Sequence, residues 1–362
     1  MRSPKALLLL FGFRSSAHKN HATKDTRYPF TATSAATMAS SSSSSEDSHA
    51  PPTAGKSDDF TAKAEQKWSR AANSYVRYFE PMTVVAGRFL LGLIKLKFQD
   101  PGGLRVLEAG CGAGGLAKEL LLDASSPSSS LSISELVLTD LSEGMLDRAR
   151  DTLKGFVTAE SNGDDNNDSA IQQVRLEQAD FTAFDRQKFP DGHFDRYYTN
   201  LCLHYAENPD DVVKEASRVL RDGIGIAGFT VWGRRADSPV MTIVPDILEG
   251  FEKTKNQKPP EKKRSSFHLG EDDEGLRQRF LRDGLFSRCT VLHYPAVLES
   301  LDAKDYAEAI LDGAPSTKKE LEEDYSEEDQ QTIRKMVHDK ALEILNKGEP
   351  LVLDMAMVVA QK

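Results

Sequence analysis

The stretch VLEAGCGAGGLAKEL, residues 106–120, decides how this chain is read. Apolar residues run up to Gly110, four glycines fall between 110 and 115, and a helical apolar pattern follows in GGLAKELLLD, 114–123. Glycines in that position let an extended segment turn sharply into a helix and let backbone approach a ligand closely. The reading is therefore strand, glycine loop, helix, the opening of a βαβ unit.

The rhythm continues along the chain. ELVLTD (135–140), QVRLEQAD (173–180), FDRYYTNLCL (194–203) and GIGIAGFTVW (223–232) read as strands. SEGMLDRARDTLKGF (142–156) and PDDVVKEASRVL (209–220) read as helices, the second with Asp caps at its N-terminus. Apolar strands joined by helices imply a parallel sheet covered on both faces. Two more strands, FSRCTVLHYP (286–295) and PLVLDMAMVVAQ (350–361), flank a long acidic helical segment around 302–347 and are expected to pair antiparallel at the sheet edge. The expected fold is α/β: a Rossmann-like doubly wound sheet of seven strands, mostly parallel with an antiparallel C-terminal strand, plus helical cap insertions.

Before the first strand, AEQKWSRAANSYVRYFEPMTVVAGRFLLGLIKL reads as two helices broken near Pro81. Residues 1–60 read as an extension that does not fold, with the serine run Ser40–Ser45 and little apolar surface to offset its ordering entropy. Its basic start, its apolar run Ala6–Phe13 and the following Arg14, Lys19, Lys24 and Arg27 fit an organelle transit peptide. An upstream extension before a second start at Met38 fits equally, and a secretory signal less well, so cytoplasmic and organellar locations both stay open. The folded part is 61–362, with cap elements at 61–98, 233–285 and 296–347. Two polar insertions, ASSPSSSLSIS (124–134) and SNGDDNNDSA (161–170), read as loops.

The chain of 362 residues has a net charge of -10. Residues 1–45 hold six Lys/Arg and one acid, so the remainder is strongly acidic. An acidic body argues against a nucleic-acid partner, whose phosphates need clustered Lys and Arg. The basic knot EKKR (261–264) is short and reads as a solvated loop, as does the charge run KKELEEDYSEED (318–329). Cys111, Cys202 and Cys289 are too far apart for metal spacing and odd in number, which suits a reduced compartment. No stretch reaches the roughly 18 apolar residues of a membrane span.

Two cofactor templates overlap in the glycine loop. Gly110, Gly112 and Gly115 spell the dinucleotide fingerprint G-x-G-x-x-G, which would make the protein an NAD(P)-dependent oxidoreductase. Glu108, Gly110, Gly112 and Gly114 spell E-x-G-x-G-x-G. In either case the amides opening the next helix attract an anion, a pyrophosphate or a carboxylate. Glu108 favours the second template, because a carboxylate repels pyrophosphate but suits the ammonium and sulfonium of S-adenosylmethionine (SAM). Asp140, ending the second strand 28 residues past Gly112, can accept from ribose hydroxyls or cap the helix at 142. Asp180 can accept from an adenine amino group, with Phe181 against the ring face.

The order Glu108–Gly114, Asp140, Asp180–Phe181, Asn200–Leu201 and RVLRDG (218–223), followed by two terminal strands, resembles the class I SAM-dependent methyltransferases. Within them it is similar to the small-molecule, ubiquinone/menaquinone-like group (methyltransferase type 11), over residues 64–362. The resemblance implies SAM as cofactor and a set of roles. Glu108 would orient the methionine ammonium, and Gly110, Cys111, Gly112 and Gly114 would cradle the methionine end. Asp140 would hold the ribose, with Leu141 beside the adenine and Asp180–Phe181 reading it. Asn200 would offer its carbonyl near the ammonium, with Leu201 beside it. Tyr75 would lie over the sulfonium. Asp222-Gly223-Ile224 replaces the usual Pro-Gly-Gly, and NLCLHY (200–205) replaces the Asn/Asp-Pro-Pro-aromatic signature of methyltransferases acting on nucleic-acid bases. His204 is the expected general base, balanced against a packing role, and Tyr205 an expected wall of the pocket. His268 and His293 read as structural or exposed. The expected acceptor is a lipid, quinone or secondary metabolite. A SAM-binding protein without turnover stays open beside it.

Overall fold

The computed structural model describes residues 57–94, 103–126, 128–156, 173–254, 265–298 and 302–362. All lie within the unit Thr53–Lys362. The serine run, the insertion at 161–170 and EKKR at 261–264 fall outside the described residues.

Seven strands form one sheet in the order β3-β2-β1-β4-β5-β7-β6. They are β1 (Leu104–Ala109), β2 (Ile133–Asp140), β3 (Val174–Gln178), β4 (Arg196–Asn200), β5 (Ile226–Trp232), β6 (Arg288–Val297) and β7 (Val352–Gln361). The first five pair in parallel, and β7 runs antiparallel to β5 on one side and β6 on the other. The last strand of the chain thus inserts between two earlier ones, and β6 becomes the edge.

Alternation along the strands divides the core. Val106 and Tyr198 pack with one buried cluster, while Leu107 and Tyr197 pack with the cluster on the opposite face. Helices cover both faces: α3 (Gly115–Ala124), α4 (Glu143–Thr152) and α5 (Pro209–Val219). Ser142 caps α4 by accepting from Met145 N at 3.1 Å. For α5 the cap is Asn208 rather than an aspartate; its side chain accepts from Asp210 N, and Asp210 and Asp211 occupy the first turn.

The N-terminal helices α1 (Ser57–Tyr78) and α2 (Glu80–Leu93) part at Phe79, with Pro81 in the first turn of α2, where its missing N–H costs nothing. After β5 come α6 (Pro239–Thr254) and α7 (Asp273–Leu281). The segment expected as one helical run is three helices: α8 (Ala303–Leu311), α9 (Pro315–Asp324) and α10 (Glu327–Asn346). Pro315 starts α9, and Ser326 caps α10 through Asp329 N. Within the charge run of α9, Leu321 and the following Tyr325 are buried, so that segment has an inner face. These helices enclose a third apolar cluster together with the inner side of β7. Among the described residues no helix is long and apolar enough to cross a membrane.

Candidate functional site

Strand order reverses between β1 and β4, and ligands of open α/β sheets sit at the carboxyl ends of strands at such a point. There the glycine loop begins. The amides of Gly110 and Cys111 both donate to Thr139 O of β2, each at 2.8 Å. Gly110, Gly112 and Gly114 all have positive φ, a conformation that strains any side chain. At Gly110 a Cβ would also stand 2.6 Å from Cys202 Sγ.

Asp140 locks this loop from β2. Its Oδ2 accepts from Gly112 N and its Oδ1 from Ser142 N, each at 2.9 Å. Each carboxylate oxygen retains capacity for another donor. Burial raises the Asp140 pKa above the ordinary range, against the pull of those amides.

A cavity of about 1890 Å³ opens from this point. Its wall includes Tyr75, Gly110, Gly112, Asp140 and Leu141, then Asp180, Phe181, Asn200, Leu201 and Tyr205. These ten expected site residues therefore meet at one cavity. Tyr75 reaches it from α1, its ring 3.7 Å from where a Gly112 Cβ would be and its hydroxyl 2.9 Å from Thr83 Oγ1. Asp180 Oδ1 accepts from the amide and hydroxyl of Thr182 at 2.9 and 2.6 Å, which shapes the turn after β3. Asn200 turns its amide away from the sheet end, donating to Thr83 O at 2.9 Å and accepting from Thr230 Oγ1 at 2.6 Å. The next residue, Leu201, has φ of 59°. Its amide lies 2.7 Å from Thr230 Oγ1, a contact that holds this strained turn at the site.

Four expected site residues are placed elsewhere. Glu108 is 2% exposed and lies under the loop, not on the cavity wall. Its cross-strand neighbour in register is Tyr198, on the same face of the parallel pair, and the Tyr198 hydroxyl donates to Glu108 Oε2 at 2.9 Å. Burial raises the Glu108 pKa to about 8, with Asp140 and Glu80 adding repulsion. Cys111 packs into the core with its thiol near Gly112 O, and Gly114 packs on Ala149 of α4 as the N-cap of α3. His204 is 4% exposed, absent from the wall, and neither ring nitrogen bonds to a group among the described residues. It sits in a short 3-10 turn against Tyr205 and Trp232, with ring centroids at 4.1 and 5.6 Å. Burial pushes its pKa down to about 3, so the imidazole is neutral at physiological pH.

Other residues at the site were not anticipated. Glu80 of α2 accepts from Gly115 N at 3.2 Å, so the protein's own carboxylate occupies the N-terminus of α3 where a ligand anion was expected. Its neighbour Pro81 marked the helix break, but nothing in local sequence tied Glu80 to a loop 35 residues on. Trp68 sits edge-on to Tyr205 at 5.1 Å and to Tyr75 at 6.4 Å, with Lys67 Nζ over the Trp68 and Tyr205 rings. Ser69 pins α1 to the start of α4, bonding Ser142 Oγ at 2.8 Å and Gly144 N at 3.3 Å. Helix α1 is thereby held across the mouth of the glycine loop.

Helix α6 carries apolar residues at helical spacing, of which Val240, Val244 and Leu248 line the cavity. Ile243 and Ile247 instead share a groove with Met336 and Ile344 of α10. The helix thus serves both as wall and as core. His293, by contrast, is a clamp away from the cavity, bonded to Asp354 and Asp273 at 2.6 and 2.7 Å.

Residues 107–226 match the family model of a methyltransferase domain. No curated protein matches the chain. Similar solved structures include phosphoethanolamine N-methyltransferase 2 of Haemonchus contortus in complex with SAM, at 15% identity, 76% of this chain, 52% of that chain and a TM-score of 0.41. The chain thus matches about half the length of that protein. YcgJ of Bacillus subtilis follows at 16% identity, 76% and 98% coverage and a TM-score of 0.43. A SAM-dependent methyltransferase of Thermotoga maritima matches at 16% identity, 82% and 99% coverage and a TM-score of 0.42. The glycine loop and strands β2, β3 and β4 lie inside this segment, which resembles a methyltransferase domain.

Proposed function

We propose that this protein transfers the methyl group of SAM to a small molecule with a largely apolar body. The observation that carries the reading is the size and lining of the cavity. Ligand pockets usually enclose about 300–1,000 Å³. At about 1890 Å³, this one has room for a cofactor and a second molecule together. Beyond the glycine loop its wall turns apolar, with Trp232, Met241, Val244, Leu248, Phe267 and Ile310.

The residues at the loop fit SAM better than a dinucleotide. Glu80, Glu108 and Asp140 converge there, and burial together with their mutual repulsion raises the Glu108 pKa. Such a site repels pyrophosphate and suits a cation. In this reading Asp140 accepts from the ribose, Leu141, Asp180 and Phe181 border the adenine, and Tyr75 and the Asn200 carbonyl face the methionine end. Glu108, which burial keeps protonated up to about pH 8 in the ligand-free protein, acts from beneath the loop by ionising when the cation binds. Bound SAM supplies an electrophilic methyl on a good leaving group. The protein's part is to orient the acceptor and exclude water, which α1 does by lying over the loop.

The histidine base expected from sequence has no place in this arrangement. Among the described residues no histidine lines the cavity. Burial raises the Tyr205 pKa, so Tyr205 is a neutral hydrogen-bonding wall rather than a base. Removing a general base costs roughly 100-fold or more in turnover. His204→Leu is therefore expected to hold methyl transfer within about threefold of wild type, in contrast to that loss. A drop of two orders of magnitude in a steady-state assay would restore His204 as the base. The same variant tests linkage. A histidine whose folded pKa is depressed stabilises the fold above its ordinary pKa and loses that contribution as pH falls through about 6.5 toward 3. His204→Leu should accordingly flatten the fall of melting temperature on acidification.

The acceptor class is tested by incubating the protein with methyl-labelled SAM and a metabolite extract, then separating small molecules from macromolecules. Label is expected in the small-molecule fraction. Label confined to protein or nucleic acid, or no transfer at all, would overturn the reading.

A further inference from the structure

Along α6 the cavity is lined by Val240, Met241, Val244, Leu248 and Glu252 from one face, with Pro245, Asp246, Glu249 and Lys253 beside them. At 1.5 Å per residue, Glu252 lies about 16 Å along the axis from Met241. The apolar face of α6 thus ends on a carboxylate. Glu252 is 9% exposed. Its Oε1 accepts from the Tyr325 hydroxyl at 2.7 Å, while its Oε2 is buried and accepts from no group among the described residues.

A buried carboxylate oxygen without a donor is costly to the fold, because its desolvation is uncompensated. The partner of Glu252, Tyr325, belongs to the buried apolar cluster and packs edge-on against Phe251. The nearby lysines on the cavity wall do not supply a partner to Oε2. Lys253 is bonded to Glu249 at 2.7 Å, and Lys319 faces Glu323 at 3.7 Å. Glu320 adds another acid to the wall at this end.

We propose that Glu252 anchors the remote end of the methyl acceptor, and that this end carries a protonated amine. The inference rests on the cavity being the acceptor site. A cationic nitrogen supplies both the missing hydrogen bond and the missing charge, whereas a hydroxyl supplies only the first. The Tyr325 bond fixes the carboxylate so that Oε2, not Oε1, meets the ligand. The acceptor is then an elongated apolar molecule with its methylated atom near Tyr75 and Tyr205 and its ammonium at Glu252.

The test uses the full chain saturated with S-adenosylhomocysteine and two probes of equal length, dodecylamine and dodecanol, with binding followed by calorimetry. Dodecylamine is expected to bind at least about tenfold more tightly than dodecanol. In Glu252→Gln the Tyr325 bond is kept and Oε2 is replaced by a donor, so the preference should vanish while S-adenosylhomocysteine affinity stays unchanged. Glu252→Leu should behave alike, and serves if the first variant does not fold. Equal binding of the two probes to the wild type, no binding of either, or a preference that survives both substitutions would overturn the proposal. Failure to bind S-adenosylhomocysteine would instead overturn the cofactor reading, and dodecanol alone binding well would leave the acceptor cavity standing without the ammonium anchor.

Discussion

Asp140→Ala is expected to weaken SAM binding by about 100-fold, the loss of two hydrogen bonds to a charged acceptor at roughly 1.5 kcal/mol each. The carboxylate sits at the tip of β2, already holding Gly112 N and Ser142 N. The substitution therefore acts twice. It removes the ribose acceptor, and it releases the amide that keeps Gly112 in its left-handed turn. The two effects separate in one calorimetric series. An analogue lacking the ribose 2′ hydroxyl should bind wild type less tightly than SAM does, and that difference should shrink in the variant. A variant that loses affinity equally for both ligands would show that Asp140 shapes the loop without touching the ribose. An unchanged affinity would remove Asp140 from the site altogether.

The second large effect concerns pH. Glu108 has its pKa raised by burial to about 8, from an ordinary value of 4.5. A raised carboxyl pKa means that the folded protein holds a proton which the unfolded chain releases. That contribution to stability is complete below about pH 4.5 and is lost as pH rises through 8. Glu80 and Asp140 shift in the same direction. The ligand-free protein should thus melt at falling temperature between pH 5 and 8.5. A cation bound above the loop favours ionised Glu108, so SAM binding should expel a proton in that window. Calorimetry in buffers of different ionisation enthalpy reads the proton directly. Glu108→Gln keeps the shape and an acceptor for Tyr198, so it should reduce both the pH slope and the proton release. An identical melting profile in the variant would show that Glu108 does not carry the linkage.

Much of the fold could be read along the chain. Five apolar strands alternating with helices, and a final pair after a helical excursion, specify a mostly parallel sheet, because each strand's periodicity and each glycine turn are local properties. The structure pairs β6 and β7 antiparallel at the edge as expected, adds that β7 stands between β5 and β6, and divides the excursion into three helices at Pro315 and Ser326. The glycine-loop end of the cavity was similarly accessible. Gly110, Gly112, Asp140, Asp180 and Asn200 sit at strand ends or in the loop after one, and strand ends of a parallel sheet converge by topology alone.

What failed was direction. Glu108 and His204 were credited with access to ligand because of their sequence position, yet each side chain turns into packed protein. Glu108 meets Tyr198 across the sheet, and His204 is enclosed with Trp232. Sequence spacing places a Cα near a site but does not say which face its side chain takes once neighbouring elements have packed.

By itself, the sequence determined the α/β sheet and the glycine loop after β1 with an acid at the strand tip, since these follow from short-range pattern and residue type. Only the tertiary structure decided that α1 lies over the loop, that Glu80 occupies the α3 N-terminus, and that α6 ends its apolar wall on Glu252. Those facts depend on contacts between segments far apart in the chain, and such contacts are set by the packing of whole faces.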